Sequence, residues 1–425
     1  LFSGIGGTRI GAEQVGFKIV GSSEIDEHCV STYSDNFGES SLGDITKIEV
    51  DKLPYFTVLT ASTPCQSFST QGKRKGLKDT RGQLINHVFR IIEAKKPRVV
   101  FIENVKGMAS TNDGQALNFV LKRLRQLGYT AHHQVLKASH YGVPQKRERL
   151  FIVAFKENVP FSFPKPTVLP APSSTVLEKS VHENFFFTQA EVDRLVSAKE
   201  RYDSKGHNFG FQILEPNKPA NTLLRSESSL QKNLVPVPFD RKAPSSRGIY
   251  TRKNPNTGKP EKLHLRKLTH RECCRLQGFP EEFKLTSSGA QTYKQIGNSV
   301  PVPVIRELFK EILVSLQLWD LGVRASKSSK AQKRVDPAPP QKNLAKQAKS
   351  SVGKKKRAAK ATKRKRVIKI LNSKSKAQKP KILPSIGLGI FKSNEVVPPV
   401  YPKKNITATE DLKKSIKDWH KKDKG

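Results

Sequence analysis

The fold is decided by the stretch Phe56-Thr57-Val58-Leu59-Thr60-Ala61-Ser62-Thr63-Pro64-Cys65-Gln66-Ser67-Phe68-Ser69. Its first residues make an apolar run of the kind a buried sheet strand needs, and they predict a strand over 56–61. Pro64 stops that strand, because proline donates nothing to a sheet ladder and restrains the residue before it. Cys65 then falls on the loop at a strand's carboxyl end, where open α/β sheets gather ligands and chemistry. A thiol there is a candidate nucleophile. An inert buried cysteine is the competing reading.

Downstream, residues 70–82 hold Lys73, Arg74, Lys75, Lys78 and Arg81 among three glycines. This is the composition of a mobile loop that closes over phosphates, with a plain solvated loop as the alternative. A helix follows over 83–93. The next strand, 98–105, carries Glu103 near its carboxyl end. A carboxylate beside a nucleophile in a dry cleft has a raised pKa and can donate a proton. Without such a cleft it is an ordinary strand-end Glu.

Upstream, Leu1-Phe2-Ser3-Gly4-Ile5-Gly6-Gly7 reads as a turn leading into a helix through residues 12–15. Its glycines permit close backbone approach to a ligand. Residues 16–24 read as a strand ending in Glu24, about twenty residues past the glycines, where a Rossmann-type site places the acid that holds ribose hydroxyls. Asp44, in Gly43-Asp44-Ile45, suits an adenine amino group or a simple turn.

Beyond Glu103, the pattern gives an amphipathic helix over 114–127 and a strand over 130–136. The loop 142–149 precedes a strand over 150–154. Alternation points Arg147 and Arg149 to one side, toward phosphate oxygens or a base carbonyl, or into a surface ion pair. Proline-rich residues 160–172 read as a linker. Residues 183–265 read as a separate small domain: a helix capped at Thr188, short strands, and Arg225, Arg241, Lys242, Arg247, Arg252 and Lys253 available for base edges. A second capping box at Thr269 starts a helix ending near Gly278. Residues 295–301 read as a turn before a last helix, and the folded region is expected to stop near Leu321.

The chain has 425 residues and a net charge of +40. From Val323 onward there are 31 Lys+Arg against 6 Asp+Glu, in clusters such as Lys354-Lys355-Lys356-Arg357. Such a balance calls for a polyanionic partner, and the polar tail is expected to be disordered and to bind nucleic acid non-specifically. In a eukaryotic host the clusters would also read as a nuclear address. The four cysteines, Cys29, Cys65, Cys273 and Cys274, have neither disulfide nor metal-ligand spacing, so no metal is expected. No apolar stretch is long enough to cross a bilayer, and a soluble intracellular protein is expected. The opening on Leu1 leads us to expect a natural start further upstream.

Six ordered motifs resemble the DNA cytosine-5 methyltransferase family over roughly residues 1–320: Phe2-Ser3-Gly4-Ile5-Gly6-Gly7, Pro64-Cys65-Gln66-Ser67-Phe68-Ser69, Glu103-Asn104-Val105, Gln145-Lys146-Arg147-Glu148-Arg149, Arg271-Glu272 with Arg275-Leu276-Gln277-Gly278-Phe279-Pro280, and Gln295-Ile296-Gly297-Asn298-Ser299-Val300. The resemblance implies an α/β fold: a doubly wound, Rossmann-like domain that binds S-adenosyl-L-methionine (1–165), a smaller target-recognition domain (183–265), and a return segment completing the first domain (266–321). The basic tail covers 322–425. It implies that Cys65 attacks a flipped cytosine, that Glu103 holds and protonates the base, that Arg149 contacts its carbonyl, and that Arg147 braces phosphate or the catalytic loop. Phe2, Gly4, Gly6, Glu24, Asp44, Ile45, Pro64, Asn298 and Val300 match cofactor-lining positions. The implied partner is double-stranded DNA, methylated by a monomer in the bacterial cytoplasm as half of a restriction–modification system. An RNA-directed relative is the nearest rival, and a catalytically silent DNA- or chromatin-binding protein the rival from another class. The family's usual Asp and strand ahead of the glycine motif are absent here, which predicts weakened folding or cofactor binding.

Overall fold

The computed structural model describes residues 1–63, 84–111, 113–207, 210–225 and 231–332, with side chains as far as Leu321. Pro64, Cys65, the basic loop to Gly82 and the tail from Lys333 lie outside the described residues. Leu1–Lys327 fall within one compact unit.

The central sheet contains β1 (Val58–Ser62), β2 (Val99–Val105), β3 (Thr130–Lys137) and β4 (Glu148–Phe155), in the order β1-β2-β4-β3. The first two strands run parallel, joined across helix α3 (Leu84–Lys95). β4 runs antiparallel to both β2 and β3. Its connection from β3, residues 138–147, contains no α-helical crossover, so the two strands pair antiparallel and the sheet is mixed.

β2 is buried along its length because apolar side chains leave it on both faces. Val100 and Ile102 join Leu150, Ile152 and Ala154 of β4 under α3, the short α4 (Gly107–Ser110) and α5 (Gln115–Gln126). Val99 and Phe101 join Phe151, Val153 and Phe155 under α1 (Gly7–Glu13) and α9 (Val302–Gln332). The result is an α/β/α sandwich. Each fully buried Ile or Phe contributes about 1.5–3 kcal/mol.

A second sheet, β5 (Val235–Pro238), β6 (Tyr250–Lys253) and β7 (Pro260–Arg266), has the order β5-β7-β6 and is antiparallel. Helix α6 (Gln189–Asp203) covers one face through Phe187, Val192, Leu195 and Leu265, and carries the expected capping box between Thr188 and Glu191. The Thr269–Glu272 box opens α7 (His270–Arg275), and α8 (Gly289–Asn298) follows. No helix among the described residues is long and apolar enough to cross a membrane.

Three local expectations are corrected. Residues 16–24 are extended but form no strand: they make isolated bonds, Ser3 N to Ser23 O at 3.0 Å and Leu42 N to Ser22 O at 2.8 Å, where a ladder needs a paired run. Residues 295–298 are the last turn of α8 rather than a turn before a helix. Gly297 there sits so close to the Leu224 carbonyl oxygen that a Cβ would overlap it, a contact invisible in the local Gly-Asn-Ser composition. Finally, α9 runs on past Leu321 to Gln332, and the sequence offers no proline to stop it before Pro337.

Candidate active site

The chemistry-bearing residues gather at the carboxyl edge shared by β1 and β2. Leu1 runs beside β1, donating to Thr60 O at 2.7 Å and accepting from Ser62 N at 3.2 Å, which places the glycine turn against that edge. Ser62 pairs in register with Glu103. Glu103 also lies opposite Phe151, so Arg149, two residues earlier on β4, is its diagonal neighbour on the same face. The Arg149 Nε and Glu103 Oε1 are 3.2 Å apart, with both side chains nearly closed to solvent. Burial raises the Glu103 pKa above the ordinary carboxylate value, while the charges of Arg149 and Arg147 pull it down and only partly offset that effect. The site therefore holds a carboxyl that keeps its proton to higher pH than a surface Glu.

Asn104 points to the other face and donates to Thr63 Oγ1 at 2.7 Å, fixing the last described residue before Pro64. Arg147 is buried at 2% exposure and donates to Leu223 O at 2.8 Å, Gly297 O at 3.1 Å and Ser299 O at 2.6 Å. Its guanidinium thus clips three backbone carbonyls together and does not share one open surface with Arg149. The expectation that alternation would present the pair jointly is corrected, because Arg147 precedes β4 and is not held to its period.

On the amino-terminal side, Phe2 and Gly4 have φ of 57° and 53°, and nothing lies within 4 Å of the position a Gly4 Cβ would take. The turn is open where a ligand would approach it. At Gly6, φ is 90° and a Cβ would also strike the Phe37 ring of α2 (Glu27–Phe37), so conformation and packing both require glycine there. Glu24 accepts from Gly4 N at 2.9 Å on Oε2, and from Ile25 N at 2.9 Å and Asp26 N at 3.0 Å on Oε1. A carboxylate offers about four lone-pair positions, so Oε2 can still accept a ligand hydroxyl. Beside it lies a cleft of about 580 Å³ lined by Glu24, Ile25, Glu27, Val30, Ser41 and Asp44. Asp44 caps its turn through Thr46 N at 2.8 Å, a bond that holds its carboxyl below the usual range.

Residues 1–314 match the family model described as C-5 cytosine-specific DNA methylase. The chain belongs to that family. It is 38% identical over 324 residues to the Type II methyltransferase M.DsaV of Dactylococcopsis salina, across 75% of this chain and 86% of the relative. Type II methyltransferase M.HpaII of Haemophilus parainfluenzae is 38% identical over 329 residues, across 75% of this chain and 90% of its own. The solved Entamoeba histolytica methyltransferase EhMeth shares the fold, with a TM-score of 0.59 at 21% identity, over 74% of this chain and 97% of that one.

In this member of the C-5 cytosine-specific DNA methylase family, the positions expected to line a cofactor divide. Phe2, Gly4, Glu24 and Asp44 surround the open turn and the cleft. Ile45 is buried in the core cluster under α3. Val300 is also buried, and with Ser299 it meets Gly7, which brings the 295–300 motif against the glycine turn; Asn298 is exposed at the end of α8. Cys65 and Pro64 lie outside the described residues. The other three cysteines are buried, and burial raises each thiol's pKa, Cys274 to about 12, so none of them supplies a thiolate.

Sequence reasoning gave no role to Asn104, Ser41 or Gln145, although Asn104 and Gln145 stand inside the quoted motifs. Gln145 is fully buried, donating to Leu276 O at 2.7 Å and accepting from Leu223 N at 3.0 Å. Ser41 bridges Glu24 N and O through its hydroxyl, at 2.8 and 2.9 Å. Asn104 left a further signal, as a polar residue inside an apolar strand. Among the described residues, no three His, Cys, Asp or Glu side chains are grouped to hold a metal.

Proposed function

We propose that this protein is a DNA (cytosine-5)-methyltransferase acting on C5 of a cytosine within a specific duplex sequence, as the modification half of a restriction–modification pair in a bacterial cytoplasm. The observation that carries the reading is the buried Glu103–Arg149 pair beside the end of β1, with Cys65 two residues past Thr63 in the sequence. The open glycine turn, Glu24 and the cleft fit S-adenosylmethionine, and Phe2, Gly4, Glu24 and Asp44 would hold it. When bound, that cofactor supplies an electrophilic methyl group to C5.

The chain's own residues do the rest. The target cytosine must leave the stack to be reached. Cys65, as thiolate, adds to C6, and Glu103 gives its proton to N3, relieving the charge that develops on the ring. Arg149 holds the base carbonyl, and Arg147 ties the Leu223, Gly297 and Ser299 backbone segments together. As C5 takes up the methyl group, N3 gives its proton back to the Glu103 carboxylate; loss of the C5 proton to water then expels the Cys65 thiolate and restores the ring. Residues 183–265 are the target-recognition domain in this reading, 266–321 the return segment, and the basic tail a non-specific DNA tether on a monomer.

The test is purified protein with labelled cofactor and mixed-sequence duplex DNA. The expected product is 5-methylcytosine, lost in Cys65→Ser, with 5-fluorocytosine duplex trapping an adduct at Cys65. No product, or an adduct at another residue while DNA and cofactor are bound, overturns the reading. Competition between tRNA and duplex DNA is expected to favour the duplex.

A further inference from the structure

Helix α2 has two working faces. Glu27, Val30 and Ser31 line the cleft. At 100° per residue, positions 26, 29, 32, 33 and 36 form the opposite face, and this one is seated largely by polar groups. Those groups bond to residues 284–295, roughly 250 positions away in sequence. The Lys294 ammonium lies 2.7 Å from Asp26 Oδ2, and Gln295 Nε2 donates to His28 O at 2.8 Å. The fully buried Thr32 hydroxyl is 3.1 Å from that of Thr286. Asn36 exchanges two bonds with Lys284, Nδ2 to O at 3.0 Å and N to Oδ1 at 2.8 Å.

Asp26 carries this seat to the ligand side. Its Oδ1 caps α2 by accepting from Cys29 N at 3.3 Å, and its backbone N–H donates to Glu24 Oε1 at 3.0 Å. Lys294 is thus one residue removed from the carboxylate that faces the glycine turn. At its far end, α8 offers Gly297 O to Arg147.

We propose that Lys294 and Gln295 are positioning residues for the cofactor cleft, with α8 holding α2 from behind so that Glu24 and the cleft wall keep a ligand-ready geometry. Neither side chain lines the cleft. The inference rests on the cleft being the S-adenosylmethionine site.

The experiment compares wild type with Lys294→Met, Lys294→Arg and Gln295→Glu, measuring steady-state kinetics and S-adenosylhomocysteine binding by calorimetry, with thermal melts to confirm folding. Lys294→Met is expected to raise the cofactor KM and the S-adenosylhomocysteine Kd about threefold, as loss of a partly exposed ion pair does. Gln295→Glu, which turns a buried donor into an acceptor facing a carbonyl, is expected to raise both about tenfold. The kcat at saturating cofactor and the KM for duplex DNA should stay within about twofold, and Lys294→Arg should restore the cofactor KM. A merely structural role would lower the melting temperature and leave KM alone, and that result overturns the proposal, as would kcat and both KM values moving together. If Gln295→Glu does not fold, the Lys294 pair decides. Wild type that binds no S-adenosylhomocysteine would instead overturn the functional reading.

Discussion

Two buried Arg–Glu pairs in this molecule are built to opposite ends. At the end of β7, Glu272 accepts both nitrogens of the Arg266 fork at 2.8 Å each, and also Thr269 N and Glu178 N at 2.8 Å. Every lone-pair position is used, and the side chain is shut off from solvent. At the edge of β2, Glu103 has Arg149 at 3.2 Å as its ion-pair partner among the described residues. Burial without saturation raises its pKa. A carboxylate with four donors ties segments together; one with a single longer contact is left able to exchange a proton. The same residue pair serves structure in one place and chemistry in the other, and the number of donors distinguishes them.

The sharpest way to break this contrast is to exchange roles by mutation. Glu103→Gln keeps the shape and removes the proton donor, so kcat should fall about 10²–10⁴-fold, the range for a positioned general acid, with urea stability moved by no more than about 1 kcal/mol. Glu272→Ala should do the reverse. It leaves the Arg266 charge buried and uncompensated, costing about 3–5 kcal/mol in urea unfolding at constant m, while kcat per folded molecule changes less than about tenfold. Similar losses of stability in both variants would refute the distinction.

A smaller effect sharpens it. Because the folded Glu103 pKa is raised, its protonated, donating form persists above the ordinary carboxylate range and is lost as pH climbs through the raised value. The alkaline limb of kcat reports that loss. Arg149 pulls the value down, so Arg149→Met should move the limb to higher pH while lowering the rate. A limb that stays in place would assign it to another group.

Much of this was legible in the sequence, and the reason is locality. β2 and β4 announced themselves because apolar residues leave both faces, and Glu103 stood out as a charge inside such a run. Spacing from the glycines singled out Glu24, and its carboxylate does accept from Gly4 N, although its segment is not a strand. What escaped was set by distant partners. The fourfold satisfaction of Glu272 depends on Glu178, 94 residues away. The last turn of α8 depends on Gly297 lying against Leu224. A Gly-Asn-Ser-Val-Pro string names a turn until something packs on it. Arg147 looked like Arg149's twin because alternation holds only inside a strand.

The weakest test is also the control. Arg252 and Glu261 face each other across β6 and β7 at 2.6 Å, with Asn254 on the second carboxylate oxygen at 2.7 Å. The geometry is as tight as that of Glu272, yet both side chains retain about a quarter of their exposure, 27% and 23%. Water can replace either partner there, and the attraction is screened. Arg252→Ala should therefore cost no more than about 1 kcal/mol, less at high salt. If unfolding at low and high salt showed a loss as large as that of Glu272→Ala, short distance and not burial would be the governing quantity, and the contrast between the two interior pairs would have to be rebuilt on contact length alone.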